Sequence, residues 1–439
     1  MKRGDTLLFD VLKGKRILIM GGISPMQDLI TLAHRNQMFV GVADYNKGTY
    51  LKQLADVSYD IDILDTNKVI DLYKQEHYDG IISNFNDMLL PYIFEVADQV
   101  GAYVPYNKSQ IKMSTDKRYF KQQCMKYGIM VPKEYSINKL LDQPFNDVIF
   151  PVIVKPIDSS GSKGISICRN MDELREGYLN ARNKSRTKQA IVEEYIDSDD
   201  EVNLTYIIQD GDIQLAAVHD RYFNKQQRDV IRVPDMYIYP SRYINLILMK
   251  YNTKIIQLIK NLDIRNGSLF LQGCVKEDCI YFYEAGMRLN GCKTYQILEY
   301  ENNYNTFEHL LYFALTGKMG GNYNFDPRFK RWYATWNVVA RPGARIHRIE
   351  GIEELDSYPW LLHNNITYYL GETIPNQAKG TLIQLQSRIH ISGNTKEELL
   401  DHIRQTYKLY HVLDNNLNEV ILTPHDVKDI EKRLNYEIK

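Results

Sequence analysis

Net charge is almost absent from this chain: 54 Lys+Arg stand against 55 Asp+Glu in 439 residues, a formal charge of −1. No global field therefore draws it to nucleic acid or to an anionic membrane, and neither is expected as a partner. Long apolar runs are missing as well. The longest, such as Arg16-Ile17-Leu18-Ile19-Met20, are strand-sized, well short of the roughly 18 residues that span a bilayer. The charged opening Met1-Lys2-Arg3-Gly4-Asp5 leads into no apolar signal core, so a cytoplasmic protein is expected. Cysteines are few and odd in number, five in all, which argues against a disulfide framework. Cys274 and Cys279 stand close together, but no His/Cys cluster completes a zinc site around them. Internal repeats and low-complexity segments are also lacking, which excludes a solenoid.

What is present is enough apolar material, 44% of the residues, for about three domains with cores of their own. Residues 1–113 alternate strand and helix signals: 15–20, 38–43, 57–61 and 78–83 read as strands, and 26–36, 67–76 and 88–99 as helices. Such an alternation predicts an α/β open parallel sheet. From 114 to 320 the character becomes α+β. Helices are expected at 116–127, 171–183 and 243–262, and strands at 150–155, 164–169, 189–195, 201–209 and 214–219. Residues 321–439 read as a small β-rich domain, with strands at 332–340 and 388–392 and one helix at 395–409.

The most informative stretch is Pro151-Val152-Ile153-Val154-Lys155-Pro156 followed by Ser159-Ser160-Gly161-Ser162-Lys163-Gly164. An apolar strand delivers a lysine to a loop whose unencumbered amides can close over phosphate oxygens. It is not a Walker A loop, because no Lys-Ser/Thr pair opens a helix after the glycines. Next, Val192-Glu193-Glu194-Tyr195-Ile196 ends a strand, with a further acid at Glu201. A strand edge can offer backbone groups to an adenine, and a carboxylate nearby can accept from ribose hydroxyls. Two later runs, 268–273 and 279–288, read as a hairpin that sets Gln272 beside Glu284, with Arg288 just beyond. A carboxylate and a second oxygen ligand facing a triphosphate are what Mg²⁺ on ATP requires. His219 and Arg221 follow a strand, and a long loop from 223 to 242 comes after them. An arginine there can grip a substrate carboxylate and a histidine can orient or deprotonate an amine. Gly21-Gly22 lacks the rest of a dinucleotide fingerprint, and a nicotinamide dehydrogenase would leave the middle of the chain unexplained.

Taken in order, the lysine helix, the Val-Lys-Pro strand, the Ser/Gly loop, Val-Glu-Glu-Tyr-Ile and the Glu and Arg of the hairpin resemble the ATP-grasp superfamily. The resemblance is to its carboxylate–amine ligase and biotin carboxylase-like branch, which includes the large subunit of carbamoyl-phosphate synthetase. It extends over nearly the whole chain. It implies a nucleotide domain at 114–320, with a lid around 120–196, between the α/β and β-rich domains. It further implies ATP and Mg²⁺ (or Mn²⁺) as cofactors, small carboxylate and amine substrates, and a homodimer. Residue by residue, the resemblance implies that Lys117 and Lys155 hold the ATP phosphates and that Ser159, Ser160, Gly161, Lys163 and Gly164 form a closing flap. It places Glu193 at the adenine amino group, Glu194, Tyr195 and Ile196 along the adenine edge, and Glu201 at the ribose. Glu284 and Gln272 become the metal ligands and Arg288 the arginine facing the transferring phosphate. His219 and Arg221 become the acceptor residues.

Two positions depart from that pattern. Gln272 stands where an acid is usual, and Gly286 where an asparagine is usual, so the metal site loses charge and one ligand, for which Asn290 is a candidate substitute. The function implied is a ligase that activates a carboxylate as an acyl phosphate for attack by an amine. A carboxylase using bicarbonate, and a nucleotide-binding regulator with a degraded metal site, are the alternatives.

Overall fold

The structure is a computed structural model and describes residues 9–136, 148–158, 163–223 and 233–435. Its first sheet is parallel throughout, in the order β3-β2-β1-β4, with β1 at Arg16–Met20, β2 at Phe39–Ala43, β3 at Val57–Tyr59 and β4 at Gly80–Ile82. Helices Gln27–Arg35, Thr66–Gln75 and Leu90–Val100 connect or follow these strands, as the alternating pattern predicts. A helix that the sequence reading did not place, Thr306–Thr316, completes this layer. Its Phe307, Leu310, Leu311 and Phe313 bury against Ile17, Ile19, Val40 and Val42.

A second, antiparallel sheet has the order β5-β8-β6-β7: β5 Glu134–Tyr135, β6 Val152–Pro156, β7 Ser166–Cys168 and β8 Ala190–Glu194. Helix Met171–Lys184 packs on it through Leu174 and Ala181.

The third sheet is the frame of the molecule. Eight strands run in the order β13-β12-β9-β10-β11-β14-β17-β16. In chain order they are β9 Glu201–Gln209, β10 Asp212–Phe223, β11 Pro234–Tyr239, β12 Gly267–Lys276, β13 Cys279–Gly286, β14 Trp332–Val339, β16 Leu361–Ile366 and β17 Leu385–Gly393. A small ribbon pairs β15 Arg348–Glu350 with β18 His411–Leu413. The eight-stranded sheet thus runs unbroken across residues 320 and 321: the β-rich segment after 321 adds its strands to the sheet begun before it.

Alternation decides which face is buried against helices. Leu204 and Tyr206, Leu269 and Leu271, and Val218 face helices Lys117–Lys126, Ile244–Lys250 and Asn252–Asn261. Met236, Ile238, Trp336 and Ile389 face helix Lys396–Leu409 and its neighbours. The long helix expected over 243–262 is two helices meeting at Tyr251. That ring turns inward against Phe282 at 5.5 Å, and its hydroxyl accepts from the Ile280 amide at 2.9 Å. The C-terminal region holds more helix than the single one expected, with Ile352–Asp356 and Val427–Leu434 besides Lys396–Leu409. Among the described residues no helix is long and apolar enough to cross a membrane.

Candidate functional site

The other face of the great sheet carries an apolar patch around Ile207, Tyr239 and Tyr333 and, beside it, a polar region whose extent the register shows. Glu201 on β9 stands opposite Cys274 on β12 and Arg221 on β10. Arg221 stands opposite Tyr237, Tyr237 opposite Thr335, and Thr335 opposite His390. A parallel row holds Glu284, Gln272, Asn203 and His219. Period-two alternation means that directly paired residues share a face, so these rows form one polar floor under the second sheet.

The hairpin of β12 and β13 pairs Gln272 directly with Glu284. Between Gln272 and Gly273 the register shifts and leaves Tyr283 as the extra residue of a bulge. The Tyr283 hydroxyl reaches Glu201 at 2.8 Å and receives Arg221 at 2.7 Å. From the second sheet Lys155 extends over the Tyr283 ring at 5.2 Å, which joins the lid to the floor.

The lysines converge as well. Helix Lys117–Lys126 begins at a capping Asp116, whose carboxylate accepts from the Arg118 and Tyr119 amides at 3.0 Å. Lys121 lies one turn beyond Lys117 on the same face. Its ammonium meets Glu193 at 2.8 Å, and Lys155 meets the other oxygen of the same carboxylate at 2.7 Å. Glu193 is 1% exposed. Burial alone would raise its pKa, but the charges of Lys155 and Lys121 hold it below the ordinary carboxylate value. Burial would lower Lys155, and the Glu193 charge and hydrogen bond hold it above its ordinary value instead. Lys117 is pushed down by burial and by Lys155, against the pull of Glu284, Glu193 and Asp158. Lys117, Lys155, Glu193 and Glu284 therefore share one electrostatic neighbourhood.

Arg288 sits at the far end of β13, where its Nε donates to Asp87 at 2.6 Å and its guanidinium lies over the Phe270 ring at 5.0 Å. Asp87 also accepts from the Met287 amide, and Asn84 from the Leu289 amide at 2.9 Å. Both come from the loop after β4, where ligands of open α/β sheets gather. That rule is the one signal in the sequence that flags Asn84 and Asp87. The i to i+4 spacing from Lys117 flags Lys121.

Other expected residues have different surroundings. Both Glu193 oxygens meet lysine ammoniums, Oε1 that of Lys121 and Oε2 that of Lys155. Glu201 pairs with Arg221 at 2.6 Å, so the expected ribose ligand and the expected substrate arginine satisfy each other. His219 is fully buried between the Tyr237 and Tyr239 rings, 3.6 Å from the Cys292 sulfur. Burial and the nearby Arg221 hold its pKa well below the ordinary value, so it is neutral. Glu194 and Tyr195 use their amides on the Lys133 and Pro151 carbonyls at 2.9 and 3.4 Å, and Ile196 is buried just past the strand. Lys163 is exposed, and Gly164 has φ +75°. Ser159, Ser160 and Gly161 lie outside the described residues, as do 224–232 of the loop expected over the acceptor pocket, and Pro234–Tyr239 of that same stretch is strand β11, paired with β10 and β14, instead of loop.

The donors on the hairpin suit a hard divalent cation. Glu284 offers a carboxylate and Gln272, directly opposite, an amide oxygen. Mg²⁺ is usually held by one or two carboxylates with the rest of its shell from phosphates and water, and these residues fit one such ion. Asn290 is occupied, with its amide donating to Thr205 at 3.0 Å and its oxygen accepting from the Thr294 amide at 3.2 Å. Gly286 has a local cause: a Cβ there would lie 2.2 Å from the Phe270 ring. Phenylalanine fills the space that a side chain at 286 would need.

Residues 148–296 match the family model of the ATP-grasp domain, so the chain carries an ATP-grasp domain. It is 24% identical over 197 residues to the formate-dependent phosphoribosylglycinamide formyltransferase of Bacillus subtilis (strain 168). The match covers 44% of this chain and 51% of that one, so the chain spans about half the length of the curated relatives it matches. In fold it is similar to an L-amino acid ligase from Bacillus licheniformis, with TM-score 0.72 and 16% identity over 92% of this chain and all of that one. It is also similar to the N5-carboxyaminoimidazole ribonucleotide synthetase from Thermotoga maritima, with TM-score 0.69 and 17% identity over 91% of this chain and 100% of the other.

Proposed function

We propose that this chain is an ATP- and Mg²⁺-dependent ligase that activates a small carboxylate as an acyl phosphate and passes it to an amine, forming a carbon–nitrogen bond. The observation that carries this reading is the convergence of Lys117 and Lys155 with Glu284 over the polar floor of an ATP-grasp domain. The curated relatives and the solved folds named above include enzymes of carboxylate and amine chemistry, which supports the same class.

In this reading the two lysines bind and orient the phosphate chain and neutralise its oxygens, so positioning supplies most of the rate. Glu284 and Gln272 would hold the Mg²⁺, which supplies further neutralisation of the phosphate oxygens. Arg288, steadied by Asp87, would face the negative charge that develops on the transferred group. Glu193 is the counter-ion that keeps Lys155 charged while buried, and it also pairs with Lys121. The residues from 159 to 164 would close over the phosphates and exclude water.

The test is calorimetry of ATP binding with Mg²⁺ and with chelator. Binding strengthened at least tenfold by Mg²⁺, and a Glu284→Ala variant that binds ATP with little dependence on the metal, are expected. Metal dependence that persists unchanged in Glu284→Ala would remove the hairpin from the metal site. Lys155→Ala is the poorer probe, because it strands half of a carboxylate that is 1% exposed, a loss of about 3–5 kcal/mol for a broken buried pair.

A further inference from the structure

The chain passes from the second sheet to the third through residues 195–200, between the end of β8 at Glu194 and the start of β9 at Glu201. The last residue of this connection is held on several sides. The Asp200 carboxylate receives the Tyr243 hydroxyl at 2.7 Å, Arg433 at 3.0 Å and the Arg242 guanidinium. Its carbonyl accepts from the Val275 amide of β12 at 2.7 Å, and its amide donates to the Ser198 hydroxyl at 3.0 Å. Ser198 in turn donates to the Val275 carbonyl.

Apart from Ser198, which belongs to the connection itself, these partners all come from the third sheet or from the helices behind it. Asp200 is thereby tied to the floor, whereas Glu194, six residues earlier, is still part of the second sheet. Glu201 is the very next residue, and alternation turns it to the opposite face of β9. There its Oε2 meets Arg221 at 2.6 Å and Tyr283 at 2.8 Å, while its Oε1 lies 3.9 Å from the Cys274 sulfur and can accept from a ribose hydroxyl. A lid that closes over nucleotide pulls on the connection, and the pull reaches Glu201 unless Asp200 is pinned.

Arg433 is the partner that comes from furthest away, 233 residues along the chain on helix Val427–Leu434. It is itself fixed in place. Its guanidinium lies over the Tyr222 ring at 4.8 Å, its Nε meets Asp429 one turn earlier at 3.1 Å, and its side chain is 12% exposed. The same Nη1 that meets Asp200 also reaches the Asp199 carbonyl at 3.4 Å, so one rigid fork grips two successive residues of the connection. Arg242 does not duplicate it, because its guanidinium is shared with Asp220 at 3.8 Å. We infer that Arg433 is a positioning residue of the nucleotide site, which holds Asp199 and Asp200 so that Glu201 stays at the ribose while the lid moves. The inference rests on the ligase reading, with Glu201 as the ribose ligand, and deepens it by bringing the C-terminal helix into nucleotide binding. A small displacement of such a ligand is enough to lose its contribution.

The test measures binding of ATP and of 2′,3′-dideoxy-ATP to the full chain by calorimetry, both with Mg²⁺. Wild type should prefer ATP by about tenfold, since only ATP offers hydroxyls to the Glu201 carboxylate. Arg433→Gln should weaken ATP by about fivefold and leave the dideoxy nucleotide within about twofold, so that the preference collapses. Arg433→Lys, which keeps the charge but loses the fork, should fall between, and it decides the question if Arg433→Gln does not fold. Ile430→Ala, which opens a cavity on the buried face of the same helix, should lower the melting temperature and keep the preference. Equal weakening of both nucleotides in Arg433→Gln, unchanged ATP binding, or the same loss of preference in Ile430→Ala would overturn the inference. A wild type that binds the two nucleotides equally would overturn it too, and would leave the ligase reading standing. A wild type that binds neither would overturn both.

Discussion

At the scale of single residues, Gly286 and Phe270 have to be read together. The missing asparagine at 286 is the result of a packing exchange: Phe270 supports the Arg288 guanidinium and takes the volume that any side chain at 286 would enter. Gly286→Asn alone is therefore expected to lower stability by about 2 kcal/mol, within the usual range for overpacking a filled site. Gly286→Asn with Phe270→Ala should recover much of that loss in thermal melts. Additive losses in the double variant would mean that the two positions are independent.

Among the elements, alternation along the strands does most of the work. In β9, Val202, Leu204 and Tyr206 join the helix-covered core, while Glu201, Asn203 and Thr205 line the floor. That division was legible in the sequence at Glu201 because the pattern has period two. The bulge at Tyr283 was not legible, since it depends on how two strands register and not on any one of them. Helix Val427–Leu434 is held by a similar long-range contact. His425 lies between Asp235 at 3.2 Å and Asp429 at 2.9 Å, with the Tyr222 ring edge-on and Arg433 of the same helix nearby. Burial would lower its pKa, but the two carboxylates raise it above the ordinary value. A raised folded pKa adds stability that is complete below the unfolded value of ~6.5 and is lost as pH climbs through the folded one. Amide exchange in 427–434 should therefore quicken as pH rises above that range, beyond the intrinsic increase, and His425→Gln should remove the excess. An identical pH profile in the variant would assign the helix anchoring to Arg433 and its carboxylates.

Across the whole molecule, the first domain reaches into the site through acids. Asp87 holds Arg288, and Asp28 holds Lys293 and Gln296, contacts made across more than 200 residues of sequence. Helix Thr306–Thr316 returns the visit by filling the core of the first sheet. Arg288 is accordingly positioned from outside its own sheet. Asp87→Asn keeps the shape but removes the charge, and phosphate release should fall about tenfold, ~1.4 kcal/mol, with ATP affinity little changed. A loss confined to ATP affinity would instead make Arg288 a ground-state contact.

The sequence by itself determined the classes of local structure and the chemistry that sits on them. Strand–helix alternation specified the parallel sheet. The lysine helix, the Val-Lys-Pro strand and the Gln272–Glu284 hairpin were visible because each depends on neighbours only a few residues away. Tertiary structure decided who partners whom. Glu193 was drawn to two lysines and Glu201 to Arg221, His219 was sealed between tyrosines, and Asp200 was met by Arg433 from the far end of the chain. Those outcomes follow from distances between segments that lie far apart in the chain, and buried charge is governed by the nearest partner in space.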